Sequence, residues 1–355
     1  MTTEPAQAAL DDFGGLIDWP KLQAWIEGQS LPGEGPVTAA TKLTGGLQNN
    51  IFLLERGSAR LVLRRPPKRL RPESNETMRR EARILKALSG TAVPHPQFRA
   101  LCDDESVIGC AFYLMDPLEG FAPNGPLRGA YESDASWRKT MGEELVKAAA
   151  TLGAVDPAAV GLADLGKPDN WHERQVARWR KQLEGYREMP NYTGDELAHV
   201  EEVSRWLDAH LPKGRRIGII HGDLQFPNVM FSLEAPRVSG IVDWELATLG
   251  DPLLDLGWIL TSWWEEGDPP GKKPMVQPWD GFPSRAELVR LYGEISGRDM
   301  SEMPWFFVLA CYKLACLLEG THARAKAGQI PAHVGESVHA YSSWLMEKAM
   351  QNIAS

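Results

Sequence analysis

The spacing of apolar positions changes character along the chain near Met115. Before it, short β-compatible runs at 37–43, 50–55 and 59–64 are separated by Thr44-Gly45-Gly46 and Arg56-Gly57-Ser58, which predicts a three-stranded meander. After the Pro66-Pro67 break, Ser74 or Asn75 is placed to cap a helix reaching about Leu88, with Gly90 ending it. Two further strands at 97–102 and 110–115 complete five strands and one helix. A short helix at 20–27 capped by Asp18 lies ahead of them, preceded by a polar, small-residue stretch. Beyond Pro117 the apolar positions recur every three to four residues, predicting helices at about 136–152, 171–188, 194–209, 252–264, 285–294, 304–327 and 334–350. The pattern therefore predicts an α+β chain: a sheet-rich part over 1–115, with an extension at 1–35, and a larger helical part over 116–355.

Charge sharpens this division. The 47 acidic residues outnumber the 38 basic ones, for a formal charge of -9, which argues against a nonspecific nucleic-acid binder. The excess lies in the second part, because 14 basic and 13 acidic residues precede Met115. Cys102, Cys110, Cys311 and Cys316 form no CxxC pair and lack a neighbouring His, so neither a zinc site nor a disulfide scaffold is expected. No secretory signal is visible, and the apolar run from Met303 to Leu318 carries Lys313 and falls short of the ~20 residues of a membrane span. A soluble, cytoplasmic protein without a membrane partner is the expectation.

The candidate chemistry lies between 217 and 257. Ile217-Gly-Ile-Ile-His221-Gly222-Asp223-Leu-Gln-Phe-Pro-Asn228 is followed by Gly240-Ile-Val-Asp243-Trp-Glu, so three side chains able to handle a metal or a proton each adjoin an apolar strand. If 229–232 and 239–242 form a hairpin with Val229 opposite Val242, Asn228 faces Asp243, and opposed Cα atoms lie about 4.5 to 5.5 Å apart. One carboxylate and one amide oxygen are hard donors suited to Mg²⁺, which takes its remaining ligands from water and substrate phosphates. Asp223 can then lie beside the ion as a hydroxyl-accepting base. An isolated Asp in a loop is usually a turn former, but H-x-D-x-x-x-x-N with an Asp fifteen positions later, ending a strand, matches a kinase catalytic loop in order and spacing.

The first part offers a separate indication. On the predicted helix, Met78, Ala82, Leu85 and Leu88 form the apolar stripe and Glu81 sits at its edge. Thr77, Met78, Ile84 and Leu85 occupy the neighbouring turns, so no intrahelical cation can pair with it. Alternation along Arg60-Leu-Val-Leu-Arg64 puts Val62 and Arg64 on one face, making Arg64 the expected partner of Glu81. The stretch 44–50, with Gly45, Gly46 and Asn49, could cap phosphates with backbone N–H groups, although paired glycines more often mark a hairpin turn. Asp255, one turn into an apolar helix, is expected to be buried and to support the catalytic loop through backbone N–H groups.

Together, His221-Gly222-Asp223 through Asn228, Ile241-Val242-Asp243-Trp244-Glu245, and Gly250-Asp251-Pro252 with Asp255 resemble the aminoglycoside phosphotransferase-like kinases, a branch of the protein-kinase-like fold. Leu61-Val-Leu-Arg64-Arg-Pro-Pro, Glu81-Ala-Arg-Ile-Leu and Arg174-Gln-Val-Ala-Arg-Trp resemble the branch fused to, or encoded beside, acyl-CoA dehydrogenases. The resemblance covers about residues 36 to 325 and implies a bilobal fold with a five-stranded antiparallel sheet in the small lobe. It implies ATP, with GTP as the alternative donor, and Mg²⁺ as cofactors. It also implies Asp223 as base, Asn228 and Asp243 as metal ligands, Arg64 and Glu81 as the phosphate-positioning pair, Met115 near the adenine, and His221 with Asp255 as structural support. Arg64 stands where such kinases usually have Lys, Gln48 replaces a frequent Ser, and Gly153 stands where His is common.

Only eleven residues separate Asp243 from Asp255, too few for a peptide-docking segment, so a small hydroxylated acceptor is expected. A hydroxy acid or hydroxyacyl-CoA is the first reading; the alternatives are an aminoglycoside or other amino-alcohol kinase, or a nucleotide-binding pseudokinase without turnover. Glu265, Glu266 and Asp268 could attract a cationic acceptor, and the arginines and lysines at 64–83 could attract an anionic one. A solvated surface is at least as good an account of each.

Overall fold

The computed structural model describes residues 10–43, 49–194 and 197–354. The chain divides into two compact units, Met1–Glu119 with Val242–Glu245, and Gly120–Ile241 with Leu246–Ser355.

The first unit is built on one antiparallel sheet. Helix α1 (Trp19–Glu27) starts where the Asp18 carboxylate accepts from Lys21 N at 3.3 Å and Pro20 supplies a helix-compatible φ. Strands β1 (Val37–Leu43), β2 (Asn50–Arg56) and β3 (Ala59–Arg65) form the meander, and helix α2 (Ser74–Leu88) precedes β4 (Phe98–Cys102) and β5 (Phe112–Met115). The strand order is β1-β2-β3-β5-β4, every neighbour antiparallel. Alternation gives the sheet two buried faces. Phe52, Leu54, Leu61, Leu63, Phe112 and Leu114 pack with Leu22 and Ile26 of α1, each fully buried side chain contributing about 1.5–3 kcal/mol. The opposite face carries Val62, Arg64 and Tyr113, with α2 packed near β4 and β5. Helix α2 begins one residue earlier than a side-chain cap would allow. Glu73 precedes it without a capping bond, the Ser74 hydroxyl accepts from Arg71 N at 2.8 Å, and the Asn75 side chain accepts from Ala111 N at 3.0 Å.

The second unit is mostly helical. Short elements β6 (Gly125–Pro126) and α3 (Ala130–Ser133) lead into α4 (Ala135–Gly153), α5 (Arg174–Gly185) and α6 (Val200–Ala209). Strand β7 (Gly218–Ile220), the hairpin β8 (Val229–Phe231) and β9 (Val238–Ile241), and β10 (Thr248–Gly250) carry the loops that matter chemically, with β7 pairing antiparallel to β10. Helices α7 (Leu253–Ser262), α8 (Arg285–Ser296), α9 (Met303–Lys326) and α10 (Ala332–Ala354) complete it, with β11 (Val276–Gln277) parallel to β6. Helix α9 is 24 residues long and apolar enough to cross a membrane by length and composition, but it is mostly buried, packing against α5, α7 and α10. The helix expected at 171–188 is interrupted. Residues before Arg174 form turns, and the chain tightens into a 3-10 turn at Tyr186–Glu188.

Candidate active site

The loop between β7 and β8 holds Asp223 in a fixed orientation. Its Oδ1 accepts from Gln225 Nε2 and from the Trp258 indole N–H, both at 2.8 Å, and its Oδ2 accepts from Asn228 Nδ2 at 2.8 Å. Asn228 Nδ2 also donates to the Asp223 carbonyl at 2.9 Å. The donor end of that amide is thus turned to Asp223 and Oδ1 is directed away, the orientation a metal ligand requires.

The loop is anchored from below by Asp255. Its two oxygens accept from His221 N at 2.7 Å and Gly222 N at 2.9 Å. Burial raises its carboxyl to about 6, opposed by those two bonds and by Lys313. Gly222 has φ +85°, and a Cβ there would lie 2.7 Å from the Leu246 carbonyl, so the position demands glycine. Lys313, buried on α9, donates to the Gly222 carbonyl at 3.0 Å with its ammonium 4.3 Å from the Trp258 ring centroid. Burial lowers its pKa to about 8, although Asp255 and Asp223 pull it upward. Asp251 takes a second set of partners: Arg298 Nη1 at 2.5 Å, His172 Nε2 at 3.1 Å and Arg216 N at 3.2 Å. Burial pushes its carboxyl up, but these bonds outweigh it and the net shift is downward.

In the first unit, Arg64 joins two carboxylates. Its Nε lies 2.9 Å from Glu81 Oε2 and its Nη2 lies 2.7 Å from Asp243 Oδ1, while the Tyr113 hydroxyl donates to Glu81 Oε2 at 2.8 Å. The Arg64 and Glu81 side chains are 7% and 1% exposed, so burial alone would discharge both. For Arg64 that burial effect is outweighed by Glu81, Tyr113 and Asp243, and the guanidinium is held strongly protonated. Asp243 has φ +66°, so the extended backbone of β9 has ended before it.

Several expectations change at this level. Val229 pairs with Ile241 and Met230 with Gly240, one residue out from the predicted hairpin register, so the pairing does not set Asn228 opposite Asp243. The cause is a shorter turn: Ser232 N donates to the Arg237 carbonyl, which displaces the pairing by two positions, and the extra residue entering β9 between Met230 and Phe231 restores one of them. Gly45 and Gly46 lie outside the described residues; Asn49 sits in a bend at the start of β2, and Met115, nearly buried, pairs with Val62 and Phe98 at the end of β5. The basic run at 64–83 is not one free surface: Arg64 and Arg65 are buried, and Arg79 pairs with Glu76, Asp103 and Glu105. Glu265 and Asp268 are both engaged by Arg285, and Lys348 also meets Asp268 at 3.1 Å.

Sequence reasoning missed Gln225, Trp258, Lys313 and Tyr113. Lys313 carried a signal, the lone charge in the otherwise apolar run from Met303 to Leu318, which requires a buried acceptor.

Residues 39–288 match the phosphotransferase enzyme family. Acyl-CoA dehydrogenase family member 10 of Mus musculus is 29% identical over 317 residues, and family member 11 of Rattus norvegicus is 30% identical over 323. These matches take in 87% and 88% of this chain, which spans only 28% and 40% of those two relatives. A crystal structure from Ralstonia eutropha JMP134, described as a "putative aminoglycoside phosphotransferase", is 29% identical with a TM-score of 0.77, covering 94% of this chain and 99% of its own. A bilobal α+β architecture, the Asp223 loop and a family match over most of the chain converge: this chain belongs to the phosphotransferase enzyme family.

Proposed function

We propose that the chain transfers the γ-phosphate of ATP, with GTP as alternative donor, to a hydroxyl of a small molecule. In this reading Asp223 orients the acceptor hydroxyl and takes its proton, Asn228 Oδ1 and Asp243 carry Mg²⁺, and Arg64, held by Glu81, grips nucleotide phosphate. Bound Mg²⁺ would neutralise charge on the phosphate oxygens. The observation that carries the reading is the Asp223 cluster, in which three donors hold the carboxylate still and leave the Asn228 oxygen directed away from it. Asp255 and Lys313 position this loop through its backbone groups at His221 and Gly222.

The acceptor has two candidate classes. An aminoglycoside or other amino alcohol has the stronger support, because the Ralstonia eutropha structure matches nearly the whole of both chains. A hydroxy acid or hydroxyacyl-CoA draws its support from acyl-CoA dehydrogenase relatives of which this chain spans under half. The test is ADP release coupled to a panel of aminoglycosides, amino alcohols, hydroxy acids and their CoA thioesters. The expected result is acceptor-dependent turnover that falls about 10²–10⁴-fold in Asp223→Asn while ATP with Mg²⁺ still stabilises the variant. Undiminished turnover in that variant refutes the assignment of the base, and nucleotide binding without transfer to any acceptor identifies a pseudokinase.

A further inference from the structure

Helix α5 carries its charges asymmetrically. On one side Arg180 pairs with Glu184 and Glu201. On another, Arg174, Arg178 and Lys181 recur at the four- and three-residue spacing of a single helix face. Lys167, from the preceding segment, joins them along a cleft of 930 Å³ walled in part by Trp171 and Tyr186. No Asp or Glu is among the described residues that line it.

Among the described residues these cations have no counterion: Lys167, Arg178 and Lys181 make no ion pair, and Arg174 donates only to the carbonyls of Lys167 and Asn170. Like charges four residues apart on a helix cost about 0.2–0.5 kcal/mol, and burial together with Arg174 lowers the pKa of Arg178. A solvated basic face explains isolated lysines, but not this arrangement. The guanidinium of Arg178 lies 4.8 Å from the Trp179 ring centroid, and the surface is concave. Four positive charges also converge here in a chain whose net charge is -9. Guanidinium forks match phosphate oxygens in pairs, and the volume is that of a small-metabolite site.

We infer that the cleft between α5 and β10 is an anion site for a phosphate-bearing small metabolite, gripped by Arg174, Arg178, Lys181 and Lys167. It is separate from the residues assigned to phosphate transfer and does not depend on that assignment. The ligand is either a free oligophosphate or the phosphate end of a larger molecule with a planar group lying along Trp171 and Tyr186.

The test is isothermal titration calorimetry of the full chain, free of added divalent metal, with inorganic pyrophosphate and, in parallel, adenosine 3′,5′-bisphosphate. Saturable binding is expected, weakened about 10-fold or more in Arg178→Gln/Lys181→Gln, weakened by added salt, and unaffected in Arg180→Gln. Both exchanged residues are exposed, so the double variant should keep the wild-type melting temperature and its stabilisation by ATP with Mg²⁺. Tighter binding of pyrophosphate identifies the free oligophosphate, and tighter binding of the bisphosphate identifies the larger metabolite. Absence of binding by either probe, or equal affinity in the wild type and the double variant, overturns the inference. Loss of ATP stabilisation in the wild type alongside intact pyrophosphate binding would remove the phosphotransfer reading and leave the cleft assigned.

Discussion

Arg64 answers to two carboxylates, and removing one leaves the other to hold a nearly buried cation. Breaking a buried pair costs about 3–5 kcal/mol; Asp243 at 2.7 Å remains for Arg64, so Glu81→Ala is expected at the lower end, about 3 kcal/mol, read from the urea midpoint of unfolding. A change below about 1 kcal/mol would mean that water already satisfies Arg64. The Arg64–Glu81 contact was legible because alternation assigns one face of β3 and the helix offers Glu81 no cation of its own. The tie from Asp223 to Trp258 was not, since its partners lie 35 positions apart and an indole donor in an apolar helix reads as core. Asp255 makes a pH prediction. Its folded pKa of about 6 lies above the unfolded value of about 3.9, so the folded state binds the proton more tightly. Its contribution to stability is therefore full below about pH 4 and is lost as pH rises through about 6. Asp255→Asn should remove that decline from the pH profile of unfolding; an unchanged slope would assign it to another group.

Elements meet where side chains are small. A Cβ on Gly257 of α7 would stand 2.7 Å from the Phe306 carbonyl of α9, and one on Gly153, at the end of α4, 2.6 Å from Pro252 Cβ. The absence of the family's common His at 153 thus has a packing counterpart: Pro252 occupies the space a side chain would need. Overpacking of this kind typically costs about 1–3 kcal/mol, so Gly257→Ala should lower the thermal midpoint, as should Gly153→Ala. Wild-type stability in both would show that α7 can shift freely. Strand and helix positions were readable from periodicity, because period two and period 3.6 sort side chains to different faces. The β8–β9 register was not, because it is set by the short turn after Ser232 and by one extra residue in β9, neither of which leaves a mark on the apolar pattern of such short strands. The tiny pairs β7–β10 and β6–β11 were missed for a related reason: two or three residues are too few to show a period.

At the scale of the whole molecule, the change from sheet to helix near Met115 was plain in the sequence, as was the H-x-D-x-x-x-x-N loop, because both depend on local order along the chain. Which acceptor the proposed reaction would take was not legible, because it depends on the shape and charge of surfaces assembled from distant segments, and several charges of the acidic and basic runs, Arg64, Arg79, Glu265 and Asp268 among them, prove to be paired once folded. The donor set proposed for Mg²⁺, Asn228 with Asp243, makes a final prediction about metal dependence. One carboxylate and one amide oxygen are too few to hold Mg²⁺ without phosphate ligands, since Mg²⁺ favours six oxygens and retains several waters. Mg²⁺ alone should therefore barely move the melting temperature, whereas ATP with Mg²⁺ at 100 times the dissociation constant should stabilise by about 2.7 kcal/mol, and chelation should end turnover reversibly. The discriminating measurement is a melting series with Mg²⁺ alone, ATP alone and both. Full stabilisation by Mg²⁺ alone would mean a preformed, resident metal site, and Asn228 with Asp243 could not then be its whole protein ligand set.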